Sequence, residues 1–162
     1  MKLSHKQCYF KTALLISAVA ILCFFGVLKA GFFSDDFVLV HRIATEGYYS
    51  SWGGEENSTF FRPLTTFTYL TDFHLWGNNP TGFHLTNILW HLLSSSAVFL
   101  LFLYLFMKVP LEKPCLYALF SSVFFLSLTS HSESVSWVSG RTDVIATSFC
   151  LLSLFFFLPS IE

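Results

Sequence analysis

Asp35 and Asp36 stand side by side just after an apolar stretch that ends near Phe33. Two neighbouring carboxylates at the edge of a lipid layer are costly, and they suit three tasks: accepting a proton, orienting a hydroxyl or holding a hard cation. A second group lies far along the chain, where His131, Glu133, Arg141 and Asp143 fall in one short segment. The guanidinium fork of Arg141 matches a phosphate, so this segment reads as an anion site; the plainer reading is that Arg141 and Asp143 pair and snorkel at the interface. His84, Asn87 and His91 form a third group at i, i+3 and i+7, one stripe of a helix. Such a stripe in lipid faces a bundle interior or a wet cavity, and interhelical hydrogen bonding and ligand binding satisfy that rule equally. The spacing lacks the i, i+4 histidine pair of a zinc-protease helix.

The elements that position these groups must be membrane helices. Of 162 residues, 54% are hydrophobic and only 12% charged, against about 25% charged in a soluble domain. The net charge of -1 argues against a nucleic-acid partner, which needs a basic stripe. Cys8, Cys23, Cys115 and Cys150 are scattered without C-x-x-C spacing, which indicates neither a zinc site nor a disulfide framework.

Apolar runs at about 12–30, 85–107, 115–129 and 143–158 predict an all-α polytopic helix bundle with about four spans. The third and fourth are short enough to serve as re-entrant helices too, but flanking Ser and Thr can extend each by a turn. The first resembles a signal peptide in its basic start, yet its apolar core exceeds the usual length and no small-x-small pair precedes Gly31, which favours an uncleaved anchor. Lys2, Lys6 and Lys11 precede the first run and Lys108 and Lys113 follow the second, whereas the long 31–84 segment has only Arg42 and Arg62. Residues 1–11 are therefore expected in the cytoplasm, with outer loops at 31–84 and 130–142 and a tail at 159–162. The acidic pair and the His131–Asp143 segment then share one side.

The first outer loop is too long to lack structure. Residues 47–57, with Gly53-Gly54 and Glu55-Glu56, read as a polar loop, and Asn57-Ser58-Thr59 is a glycosylation sequon. Phe60, Leu64, Phe67, Leu70 and Phe73 then predict an amphipathic helix along the membrane, with Arg62 and Asp72 near its ends. Gly77-Asn78-Asn79-Pro80 makes a turn into the second span.

Taken in order, Phe33-Ser34-Asp35-Asp36, Phe61-Arg62-Pro63-Leu64, the block from Gly77 to His91, His131-Ser132-Glu133 through Trp137, Gly140-Arg141 and Asp143 resemble a known family. They are similar to the amino-terminal part of the transmembrane and tetratricopeptide-repeat O-mannosyltransferases, within the wider GT-C class. The resemblance implies transfer of a sugar, mannose in that family, from a polyprenyl- or dolichyl-phosphate donor to an extracytoplasmic protein or glycan acceptor. It puts Asp35 and Asp36 at the catalytic centre, with Arg62, His84, Asn87, His91, His131, Glu133, Arg141 and Asp143 as candidates for the donor phosphate and substrate. A divalent cation on Asp35 and Asp36 stays open, as does the membrane, bacterial plasma membrane or endoplasmic reticulum. The family's His-Pro dipeptide is replaced here by Leu128-Thr129. Family members continue through many more spans, so the resemblance implies a fragment, a truncated member or a degenerate paralogue, inactive in isolation. A noncatalytic polyprenyl-lipid-binding subunit and part of a lipid-linked sugar transporter are the competing expectations.

Overall fold

The computed structural model describes residues 5–48 and 61–161, which form helices and no strand. They make an all-α membrane bundle of seven helices: α1 (His5–Phe24), α2 (Asp36–Glu46), α3 (Pro63–Trp76), α4 (Pro80–Met107), α5 (Pro114–Ser127), α6 (Ser132–Ser136) and α7 (Arg141–Phe157). Most of the 47–57 loop and the Asn57 sequon lie outside the described residues.

Helix α4 is the axis of the bundle. It packs against α1, α3, α5 and α7. Its start is fixed by Pro80, whose missing N–H costs nothing in a first turn, and by Asn79, whose side chain accepts from the Thr81 N–H at 3.1 Å. Gly77 ends α3 at φ 58°, a left-handed conformation that glycine adopts without penalty, and Gly82 lies flat against the Trp76 ring where a Cβ would collide. The three-residue connection therefore folds α3 back onto α4.

Lipid gives apolar faces no reason to meet, so small polar residues join the helices. Ser94 and Ser148 share a 2.7 Å hydrogen bond between α4 and α7, and Ser148 also donates to the Trp90 carbonyl at 3.1 Å. Ser122 of α5 donates to the Ser95 carbonyl at 2.5 Å. All four serines are buried, while Phe10, Leu14, Leu22, Phe120, Phe124, Phe156 and Phe157 point outward. That inversion of a soluble core is what a bilayer solvent produces.

Among the described residues, two helical segments are long and apolar enough to cross a membrane, Pro80–Met107 and Val138–Ile161; Pro114–Ser127 with Thr129–Ser136 adds a third if that pair, bent by 48°, counts as one span. The apolar part of α1, Cys8–Phe24, falls just short. The first run was expected to be helical to residue 30, but the α-helix stops at Phe24 and a 3₁₀ turn over Val27–Lys29 follows Gly26, a weak helix former.

One expectation is overturned. Cys8 and Cys115 form a disulfide with Cα atoms 6.4 Å apart. Their sequence separation of 107 hid the pairing, because the adjacency comes from α1 packing against α5, which brings two lysine-flanked helix starts together. Both cysteines sit at the helix starts that lysine placement leads one to expect in the cytoplasm, where thiols are kept reduced. In a chain purified under oxidising conditions, alkylation before reduction is therefore expected to reach Cys23 and Cys150 alone, and all 4 cysteines after reduction, read as a mass shift. Modification of Cys8 or Cys115 without reductant would contradict the pairing.

Candidate functional site

The segments that follow α1 and precede α7 meet through Asp36. Residues 33–36 turn tightly, with the Asp36 N–H donating to the Phe33 carbonyl at 3.0 Å and Ser34 held at φ 49°. The Asp36 carboxylate is 0% exposed. One oxygen accepts from the Phe33 N–H at 3.0 Å, and the other from both the Ser139 N–H at 2.9 Å and the Ser139 hydroxyl at 2.7 Å. The Trp137 indole N–H donates to the Phe33 carbonyl at 3.3 Å. Asp35, one position earlier, is exposed and takes a 3.2 Å bond from the Ser34 hydroxyl. The paired aspartates have thus separated into one buried strut and one accessible carboxylate.

Arg141 is a strut as well. Its guanidinium is 0% exposed and spends its nitrogens on Asn87 Oδ1 (2.6 Å), the Phe83 carbonyl (2.8 Å), the Thr68 hydroxyl (3.2 Å) and the Asp72 carboxylate (2.6 Å). The plane lies over the Tyr69 ring at 4.3 Å. Asp72 takes a further bond from the Thr86 hydroxyl at 2.7 Å. Helices α3, α4 and α7 are bolted together at this point. Tyr69 completes the joint: burial pushes its phenol well above its ordinary range, more than the nearby Arg141 lowers it, and the neutral hydroxyl donates to the Val138 carbonyl at 2.9 Å.

The histidine stripe is buried throughout. Asn87 also donates to the carbonyls of Trp137 at 2.9 Å and Val135 at 3.3 Å, so its amide serves helix packing. His91 lies 3.2 Å from the Leu126 carbonyl and stands edge-on to His131 with ring centroids 5.3 Å apart; His131 in turn caps the Phe125 carbonyl at 3.0 Å. Two imidazoles thereby lie against carbonyls of the last turn of α5. His84 is buried beside the backbone of Ala30 and Gly31. A cavity of about 50 Å³ lies between His91, His131, Ser94, Ser134, Asp143 and Thr147. It has room for a water or two and none for a sugar phosphate.

Arg62, Glu133 and Asp143 reach the surface. Arg62 lies 3.4 Å from the Thr142 hydroxyl, which puts a guanidinium from the start of α3 at the start of α7. Asp35, Arg62, Glu133 and Asp143 are thus exposed, whereas Asp36, Asn87 and Arg141 are buried. Among the described residues, no group of three or more His, Cys, Asp or Glu is arranged to hold a metal ion. Asp36 suits a cation poorly, because three hydrogen-bond donors already face its oxygens.

Sequence reasoning missed Thr68, Asp72 and Ser139. The signal for the first two was present: Thr65, Thr68, Tyr69 and Asp72 recur at i, i+3, i+4 and i+7, opposite the apolar stripe of α3. Read for water, that polar stripe faces out, but here Thr65, Tyr69 and Asp72 are buried while Leu64, Phe67 and Leu75 are exposed. Gly140 marks the loop that carries Ser139: a Cβ there would sit 2.9 Å from the Ser134 backbone. Gly140→Ala is expected to cost about 1–3 kcal/mol by overpacking, seen as a lower thermal midpoint in detergent; an unchanged midpoint would deny the close approach.

A helical membrane bundle whose acidic turn at 33–36 is braced by the 137–139 segment is the class of protein that this architecture defines. Among known proteins the chain is similar to the human protein O-mannosyl-transferase TMTC4, 28% identical over 89% of the chain. Human TMTC1 is 30% identical over 90% of it, and human TMTC2 31% identical over 87%. The chain spans about a fifth of the length of these relatives, 22%, 17% and 18% respectively. The resemblance read from the motifs thus extends over most of the sequence. No family model and no solved structure matches.

Proposed function

We propose that the chain forms part of a membrane glycosyltransferase that moves a sugar, mannose by analogy with the relatives, from a polyprenyl- or dolichyl-phosphate donor to a hydroxyl on an extracytoplasmic acceptor. The observation that carries this reading is the accessible Asp35 carboxylate beside a fully engaged Asp36. Glycosyl transfer needs a base at the acceptor oxygen and positive charge where the phosphate departs. Asp35 takes the proton as the acceptor oxygen bonds to the sugar and the sugar–phosphate bond breaks. Arg62, reaching the start of α7, faces the phosphate as its charge grows. Arg141, Asp36 and Asn87 hold this geometry and do not touch substrate; releasing Arg141 to a phosphate would strip the Asp72 carboxylate of its partner. Glu133, His131 and Asp143 line the approach, with His84 and His91 behind them in the helix packing. Four spans, a cytoplasmic N-terminus and an outward active face complete the reading, in the endoplasmic reticulum since the relatives named are animal proteins.

The test is transfer from a radiolabelled polyprenyl-phosphate mannose to an acceptor peptide, run in membranes for this chain and for a full-length relative altered at the aligned positions. Arg62→Ala is expected to raise the donor KM and lower kcat together. Unaltered constants would remove Arg62 from the phosphate.

A further inference from the structure

We propose that Ser139 is a positioning residue for this transfer: from the second outer segment it fixes the Asp36 carboxylate, and through it the direction in which Asp35 presents its own. The inference rests on the Asp35 reading above.

The turn at 33–36 is not a conformation its residues choose freely. Ser34 sits at φ 49°, where a residue with a Cβ is strained. The turn is closed from both directions, by the Asp36 N–H on the Phe33 carbonyl and by the Phe33 N–H on the Asp36 carboxylate. The second closure depends on where the Asp36 carboxylate lies. Its other oxygen is gripped twice by a single residue 103 positions away, through the N–H and the hydroxyl of Ser139. Asp35 lies between the strained residue and the gripped one, so the orientation of its carboxylate is inherited from that clamp. A displacement of about 1 Å at a reacting group can cost two orders of magnitude in rate.

The hydroxyl is the part of the clamp that substitution can remove. Ser139→Ala leaves the backbone N–H bond in place and, with it, the fold. Ser139→Thr keeps the hydroxyl. In the transfer assay, Ser139→Ala is expected to lower kcat about ten-fold with the donor KM unchanged, the worth of one hydrogen bond to a charged group. Ser139→Thr restores most of the loss. Combined with Asp36→Asn, Ser139→Ala adds less than its effect alone, because the bond it removes is already weakened. Thermal midpoints of the three variants in detergent are measured alongside; a kcat loss that tracks the midpoint rather than the hydroxyl, with threonine failing to rescue, overturns positioning in favour of plain stability. Wild-type kcat in Ser139→Ala while Asp35→Asn is inactive overturns the role of Ser139 and leaves that of Asp35 intact. Full activity of Asp35→Asn overturns both. A raised KM at constant kcat in Ser139→Ala also overturns it, since the hydroxyl would then serve binding.

Discussion

Replacing Asp35 with asparagine is expected to lower sugar transfer by about 10²- to 10⁴-fold while donor binding persists, the ordinary cost of losing a general base. The substitution is close to isosteric and the side chain is exposed, so the fold has nothing to lose beyond the 3.2 Å bond from Ser34, which an amide oxygen can still accept. Asp36→Asn differs in kind. Its carboxylate takes three hydrogen bonds, and an amide nitrogen facing donors from Phe33 and Ser139 would repel one of them. Asp36→Asn is thus expected to lower stability and transfer together, and Asp35→Asn transfer alone. Equal thermal midpoints for the two variants would contradict this division.

Removing Arg141 carries the second large effect, on stability. Arg141→Met leaves the Asp72 carboxylate, 3% exposed, without its 2.6 Å partner in a joint shared by three helices. Breaking a buried pair from one side costs about 3–5 kcal/mol, because an uncompensated charge remains. Asp72→Leu combined with Arg141→Met is expected to recover much of that loss, since a hydrophobic pair needs no partner. The measurement is the thermal midpoint of each variant in detergent. A double variant as unstable as the single would show that Asn87, Thr68 and Phe83 matter more than the ion pair.

These two expectations mark where the sequence could be read and where it could not. The helices were legible because bilayer length and apolar run length are the same quantity, and the start of α4 was legible from Gly77-Asn78-Asn79-Pro80. Lysine placement led to one shared side for the 31–84 and 130–142 segments, and Asp36 and Ser139 of those segments are in contact. Helix α2 was not foreseen, since Asp36–Glu46 carries His41, Arg42 and Glu46 within an otherwise apolar stretch; an Arg42–Glu46 pair at 3.5 Å accounts for two of them. The separate surroundings of Asp35 and Asp36 were invisible, because adjacent residues on a helix start face different ways and only the Ser139 contact decides which turns inward. Arg141 read as a phosphate ligand for a similar reason: a lone arginine beside lipid advertises its charge, while its partner Asp72 sat on a helix whose polar stripe looked like a solvent face. The Cys8–Cys115 bond depended on packing alone.

The claim on which the rest depends is that Asp35 and the exposed part of the second segment open onto one outer surface. Single cysteines at positions 35, 133 and 113, in a chain with its native cysteines replaced by serine, can be challenged in sealed vesicles with a membrane-impermeant maleimide. Labelling of 35 and 133 from the same side, with 113 protected until the vesicles are opened, is the predicted result; labelling of 35 and 133 from opposite sides would contradict it.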